Sequence, residues 1–137
     1  MIECVITQTK DIEQVEYGWG AVKWVANSEI VPGCEQSFGL VHILPGKINP
    51  AHCHTAAEEI VFMLRGECDV RVGDRQIKIG PGETLVIPQG VMHEIGNSGW
   101  EPAIYVCSFS ASIRGTIFDD PSTPGARPLS GGSTQPW

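Results

Sequence analysis

Three histidines and a glutamate fall at spacings from which they can meet on one cation. His52 and His54 stand two apart, Glu59 follows, and His93 lies in a later segment, GETLVIPQGVMHEIGN. Side chains alternate across a strand, so His52 and His54 share a face while Cys53 points away. The stretch 55–58 lets the chain reverse and sets Glu59 at the head of the next strand, with Glu58 as the competing carboxylate. Neutral imidazole suits Fe, Mn, Ni, Cu, Co and Zn, and one carboxylate shifts the preference toward Fe(II) and Mn(II). The expectation is one divalent transition metal per chain, Fe2+ or Mn2+ first, with Zn2+, Ni2+, Cu2+ and Co2+ open. Four protein ligands on an octahedral ion leave two positions vacant, as a catalytic site needs and a closed structural site does not. An isolated His-x-His pair is commonly just packed. Here three of the chain's four histidines fall at mutually consistent spacings.

Short strands separated by Gly/Pro turns must position these groups. The pattern predicts strands near Cys4–Ile6 and Ala21–Ala26, then over Phe38–Leu44, Ala51–His54, Glu58–Arg65, Glu67–Val72, Arg75–Ile79, Glu83–Pro88, Met92–Asn97 and Ala103–Phe109. Gly73-Asp74 reads as a two-residue hairpin loop, and Pro88-Gln89-Gly90 turns the chain into the strand of His93. With no convincing helix, this argues for an all-β barrel or double-sheet jelly roll, whose closure removes exposed edges.

Val61 and Met63 share the face of Glu59, and Ile95 that of His93, so these three are expected to line a substrate pocket. His42, in an apolar strand, reads as a hydrogen-bonded, half-buried histidine, with a further polar group near the metal and its pocket as the sharper alternative. Ile60, Phe62 and Leu64 present the opposite face of the same strand, which needs cover from the N-terminal arm or a second subunit; a homodimer is expected. Tyr17-Gly18-Trp19-Gly20 reads as core packing or a subunit contact, with a pocket lid as the sharper alternative. Three regions follow: an arm over 1–36, a barrel core over 37–110, and a Pro/Gly/Ser-rich extension over 111–137 anchored by Ile113, Ile117 and Phe118.

The chain has 137 residues, room for one domain with a closed core. Its net charge of −7, from 9 Lys+Arg against 16 Asp+Glu, argues against nucleic-acid binding. No apolar run approaches the ~18 residues of a membrane span, so no membrane role is expected. The opening stretch MIECVITQTKDIE has neither a basic n-region nor an apolar core, so no secretion signal is expected. Five scattered cysteines without a CxxC read as small buried hydrophobes in a reducing compartment, and the expected location is cytoplasmic.

At its metal-ligating residues the sequence resembles the cupin superfamily. The first cupin motif, Gly-x5-His-x-His-x3,4-Glu-x6-Gly, is matched by Gly46, His52, His54, Glu59 and Gly66. The interval back from Gly66 selects Glu59 over Glu58. The second, Gly-x5-Pro-x-Gly-x2-His-x3-Asn, is matched by Gly82, Pro88, Gly90, His93 and Asn97. The resemblance implies a jelly-roll barrel with a pocket at one mouth and a tendency to dimerise. It leaves the reaction open, since cupins host dioxygenases, decarboxylases, isomerases, lyases, cyclases and binding proteins.

The favoured expectation is an Fe(II)-type dioxygenase acting on a small bidentate oxygen ligand: an enol, catechol or keto acid. Glu58 is a candidate base and Tyr105 a candidate phenol. The alternatives are an O2-independent lyase, isomerase, cyclase or decarboxylase, and a non-catalytic ligand binder. Cupin lyases often place a tyrosine shortly after the metal glutamate, where this chain has Val61 and Phe62. For decarboxylation, Arg65 is a candidate carboxylate partner.

Overall fold

A computed structural model describes residues 3–129. Eleven strands form: β1 (Val15–Tyr17), β2 (Gly20–Ala26), β3 (Ser37–Ile43), β4 (Ile48–His54), β5 (Glu59–Arg65), β6 (Cys68–Val72), β7 (Arg75–Ile79), β8 (Thr84–Ile87), β9 (His93–Gly96), β10 (Ala103–Phe109) and β11 (Thr116–Phe118). The described residues contain no α-helix, only a 3-10 turn at Thr9–Asp11. None of their helices is long and apolar enough to cross a membrane. The strands build two antiparallel sheets, ordered β1-β2-β3-β10-β5-β8 and β11-β4-β9-β6-β7, as the all-β jelly-roll reading requires.

The core fills the space between the sheets. Along β10 every second side chain is buried, and β5 buries Glu59, Val61 and Met63 while exposing Ile60, Phe62 and Leu64. Gly39 on β3 leaves the room that the Trp24 indole occupies; a Cβ there would sit 2.9 Å from the ring. Asn97 ties strand ends together: its Nδ2 donates to the carbonyls of Ile43 (3.0 Å) and Glu101 (2.7 Å), and its Oδ1 accepts from the Gly99 amide. Backbone carbonyls withdrawn from water need such donors.

Several sequence expectations shift. Cys4–Ile6 is not a strand. Val5 and Ile6 are exposed and nothing pairs with them, so the hairpin partner of β2 is β1, joined through Gly18-Trp19. Strand β4 starts at Ile48 rather than Ala51. Its ladder with β9 is interrupted between Asn49 and His52, and that gap accommodates Pro50, which has no N–H to donate. Cys53, Cys68 and Cys107 are buried, whereas Cys4 is exposed and Cys34 half-buried. After β10 the chain adds β11 to the five-stranded sheet beside β4. Of the expected anchors, Ile113 and Ile117 are exposed, and only Phe118 packs inward, 5.6 Å from the His52 ring. Arg114, between those two isoleucines, is the buried one. Farther on, Trp19 Nε1 donates to the Gly125 carbonyl (3.0 Å) and the Leu129 amide to that of Glu16 (2.8 Å), so the extension wraps the barrel over these residues. Residues 130–137 of the extension lie outside those described.

Replacing Asn97 by Ala strands the buried Ile43 carbonyl and frees the part-buried one of Glu101, and should cost about 1–3 kcal/mol of stability. Thermal unfolding of the variant, compared with Asn97→Asp, checks it; an unchanged Tm would remove Asn97 from the barrel's structural polar groups.

Candidate metal centre

His52 and His93 face one another across the ladder, as direct partners in the β4–β9 register. His54 follows two residues on along β4. Glu59 arrives from the other sheet, at the head of β5. The turn that sets β9 is held to the site itself, because the Gly90 amide donates to the His54 carbonyl at 2.8 Å. All four side chains are buried, and one ligand atom from each lies within 4.8 Å of every other.

The second nitrogen of each imidazole is already committed. His52 Nδ1 lies 2.6 Å from the Pro50 carbonyl and His93 Nδ1 3.0 Å from that of Val91. A carbonyl only accepts, so these nitrogens carry the proton and Nε2 keeps its lone pair. His54 Nδ1 lies 3.0 Å from Thr116 Oγ1. Orienting bonds of this kind fix ring angle and tautomer in metal sites.

Glu59 Oε2 stands 3.3 Å from His54 Nε2 and 3.1 Å from His93 Nε2, yet none of these three buried atoms has a partner at hydrogen-bonding angles. Buried polar atoms are normally satisfied, and an ion among them is what satisfies these. The donor set fits a divalent transition metal.

Electrostatics agree. Burial, reinforced by the neighbouring His93 and His54, pushes His52 down to about 3, so it stays neutral. Burial also lowers His54, outweighing the pull of Glu59. Burial works to raise Glu59, but His54 and His93 together overcome it and hold the carboxylate ionised. Burial works to lower His93, and there the Glu59 carboxylate and the Val91 carbonyl prevail and raise it. Without an ion, the cluster therefore draws a proton onto His93, which a metal must displace.

A cavity of about 60 Å³ adjoins the cluster. Its wall includes His52, His54, Glu59, Tyr105, Tyr17, Trp19, Trp24, Phe118 and Arg114. Tyr17 and Trp19 are stacked at 4.8 Å, so the aromatic run of the N-terminal arm is at once core and pocket wall. Tyr105, the candidate phenol, is fully buried and lines this cavity. Burial, with the nearby Glu59 charge, holds its phenol well above the ordinary range, so it keeps its proton and is no base.

Other predicted residues fall elsewhere. Val61, Met63 and Ile95 are fully buried but pack into the core and do not line this cavity. His42 is half-buried on the outer face of β3, on the same side as Phe38 and Leu40. Strand alternation, set by the buried Val41 and Ile43, turns it away. Glu58 is exposed, one residue before the strand that carries Glu59 inward, so it is not placed to act as a base. Arg65, at the far end of β5, is exposed. Arg114 and Thr116 were not anticipated, since nothing in the local pattern marks a residue delivered from beyond the last barrel strand.

A cupin domain model matches residues 39–109, just over half of the chain. The chain belongs to the cupin family. It is 36% identical over 107 residues to the rhicadhesin receptor of Pisum sativum, covering 72% of this chain and 49% of that protein. Among solved structures, an oxalate oxidase in complex with the substrate analogue glycolate is 32% identical, with a TM-score of 0.66 over 73% of this chain and 55% of the other. The Lactobacillus farciminis oxalate decarboxylase formate complex is 28% identical, with a TM-score of 0.74 over 80% of this chain and 34% of the other. The chain spans about half the length of the curated relatives it matches.

Substituting His52 or His93 by Ala in this cupin should abolish stoichiometric metal, measured by elemental analysis, with the barrel intact by circular dichroism. His42→Ala should retain it. Glu59→Gln should weaken metal far more than Glu58→Gln, and Thr116→Val should weaken it by about 10–100-fold. Because His93 is protonated more readily than a free imidazole, metal affinity should rise with pH through the range around its ordinary value of 6.5, with proton release on binding measurable in weakly buffered titrations. A flat affinity across that range would show that His93 is not the site of the displaced proton.

Proposed function

We propose that the chain is a metal-dependent enzyme that oxidises a small oxygen-bearing substrate, with Mn2+ or Fe2+ held by His52, His54, Glu59 and His93. The observation that carries this reading is the cluster itself: four buried ligands, each imidazole with its Nδ1 committed elsewhere, opening onto a small cavity. A metal bound there supplies open positions for oxygen ligands and a centre for redox chemistry.

The chain's own residues do the rest. Strands β4, β5 and β9 hold the ligands rigidly. The Tyr17, Trp19 and Trp24 rings exclude water. Tyr105, protonated, offers a hydrogen bond inside the cavity. At about 60 Å³ the cavity holds roughly four to six water-sized groups. That size favours a keto or hydroxy acid of a few heavy atoms over a catechol. The likeness to an oxalate oxidase supports the oxidase form of this reading. A second reading, O2-independent decarboxylation of a similar acid, is favoured by the likeness to an oxalate decarboxylase.

The outer face of the six-stranded sheet supports a homodimer. Phe38, Ile60, Phe62, Leu64 and Val86 are each 39–52% exposed, on the outer faces of β3, β5 and β8, with β10 lying between β3 and β5. A second copy of the chain is the proposed cover. Unpaired cysteines at every position support a reducing, cytoplasmic setting.

Protein purified without chelators should carry manganese or iron near one ion per chain and consume O2 with a small acid from a panel including glycolate, oxalate and pyruvate. Carbon dioxide release without O2 uptake would select the decarboxylase reading, and a chain that binds no metal would end both. Phe62→Glu should convert a dimer to a monomer by light scattering; a wild type that is already monomeric would end the dimer proposal.

A further inference from the structure

Among the described residues, five buried side-chain nitrogen or oxygen atoms lack a hydrogen-bond partner: His54 Nε2, Glu59 Oε2, His93 Nε2, Trp24 Nε1 and Arg114 Nη2. The first three are accounted for by a cation. The other two are N–H donors, and both residues line the same cavity. A cation satisfies neither. What two orphan donors in one pocket lack is an acceptor.

Arg114 makes the deficit sharper. It is 2% exposed, and its guanidinium lies over the Trp24 ring, 3.9 Å from the centroid, with the Phe109 ring at 5.2 Å. One hydrogen bond is made, from Nη1 to Ser37 Oγ at 3.3 Å. No carboxylate stands within ion-pair distance among the described residues. A guanidinium stays charged, and burying it without a counter-ion is strongly unfavourable. The sole carboxylate lining the cavity, Glu59, is committed to the histidine cluster. No described residue supplies the missing anion, and a ligand entering the cavity can.

The arginine is also held in advance of any ligand. Its carbonyl accepts from the Ala56 amide (2.9 Å), and the next carbonyl, of Gly115, accepts from both the Thr55 amide (3.1 Å) and Thr55 Oγ1 (2.9 Å). These bonds clip it to the loop that delivers Glu59. Gly115 has φ +68°, and a Cβ there would collide with Thr55 Oγ1, so the clip depends on glycine. Stacking on Trp24 fixes the plane of the guanidinium. A planar fork with an open edge matches a carboxylate.

We propose that Arg114, supported by Trp24 Nε1, is the receptor for the carboxylate of an anionic substrate in the metal-adjacent cavity. The inference deepens the proposed function by naming the residue that recognises the acid's carboxylate, and it rests on that reading only in treating this cavity as the substrate site. The acid must be small, because the arginine, the aromatic wall and the metal ligands share about 60 Å³ of free space.

The test is calorimetric titration of the metal-loaded full chain with glycolate and, separately, its neutral isostere glycolamide. Wild type should bind glycolate at least about tenfold more tightly than glycolamide. Arg114→Gln should lose at least about tenfold in glycolate affinity, with unchanged metal content and no change for glycolamide. Arg114→Lys should keep part of the loss, and Trp24→Phe, which retains the ring and removes the N–H, should lose a smaller factor. If Arg114→Gln fails to fold, the acid–amide comparison, the lysine variant and Trp24→Phe still decide. Equal binding of acid and amide by wild type, or Arg114 variants that bind glycolate like wild type, would overturn the assignment and leave a buried water as the partner of Nη2. Metal content is measured independently. Arg114-dependent glycolate binding by a wild type that holds no metal would uphold the carboxylate receptor while sinking the metal-enzyme reading.

Discussion

A carboxylate facing three imidazoles across the gap between two β-sheets is the constraint on which this molecule turns. Glu59 comes from one sheet and His52, His54 and His93 from the other, so the cluster spans the interior. An ionised carboxylate at 4% exposure is tolerable only beside positive charge. A proton on His93 or a metal ion supplies it. Much of the surrounding construction serves this one juxtaposition. The β4 irregularity at Pro50 frees the carbonyl that orients His52, and the Pro88–Gly90 turn both aims β9 and bonds back to His54.

Charge inside the barrel runs opposite to charge on the whole chain. The protein is net −7, which by itself repels an anion at long range. With a divalent ion bound at the cluster, one carboxylate and one guanidinium would leave an excess of positive charge in the cavity. In a water-poor pocket such an excess acts strongly over a few ångströms. The local field and the global one thus have different consequences, and only the local one bears on what the site retains.

The segment shared with the family model and the segments outside it divide the work. All four metal ligands lie within residues 39–109. Tyr17, Trp19, Trp24, Arg114, Thr116 and Phe118, which build much of the cavity wall, lie outside. The shared core holds the ion. The flanking strands β1, β2 and β11, added to the edges of the two sheets, shape the space beside it. The division is not complete, because Thr116 on β11 also orients His54 and Phe118 packs on His52.

What the sequence determined by itself was everything periodic and local. Alternation placed His52 and His54 on one face and Glu59, Val61 and Met63 on another. Gly/Pro turns marked most strand ends, and the spacing of His93 after Pro88-Gln89-Gly90 put it on the strand that meets β4. Tertiary structure decided what depends on contacts between distant segments. Val61 and Met63 do share the inward face of Glu59, yet whether an inward face meets a cavity or other side chains depends on what crosses the barrel, and there it is core. His42 needed only the parity of β3 to be turned outward, but that parity is fixed by which neighbours of the strand are buried. Arg114 sits between two exposed isoleucines in an unpatterned stretch, and it becomes the cavity's buried cation because residues 114 and 115 bond to the loop before Glu59. Periodicity carries no information about a bond between residues 58 positions apart, such as that from the Ala56 amide to the Arg114 carbonyl; only the closed fold does.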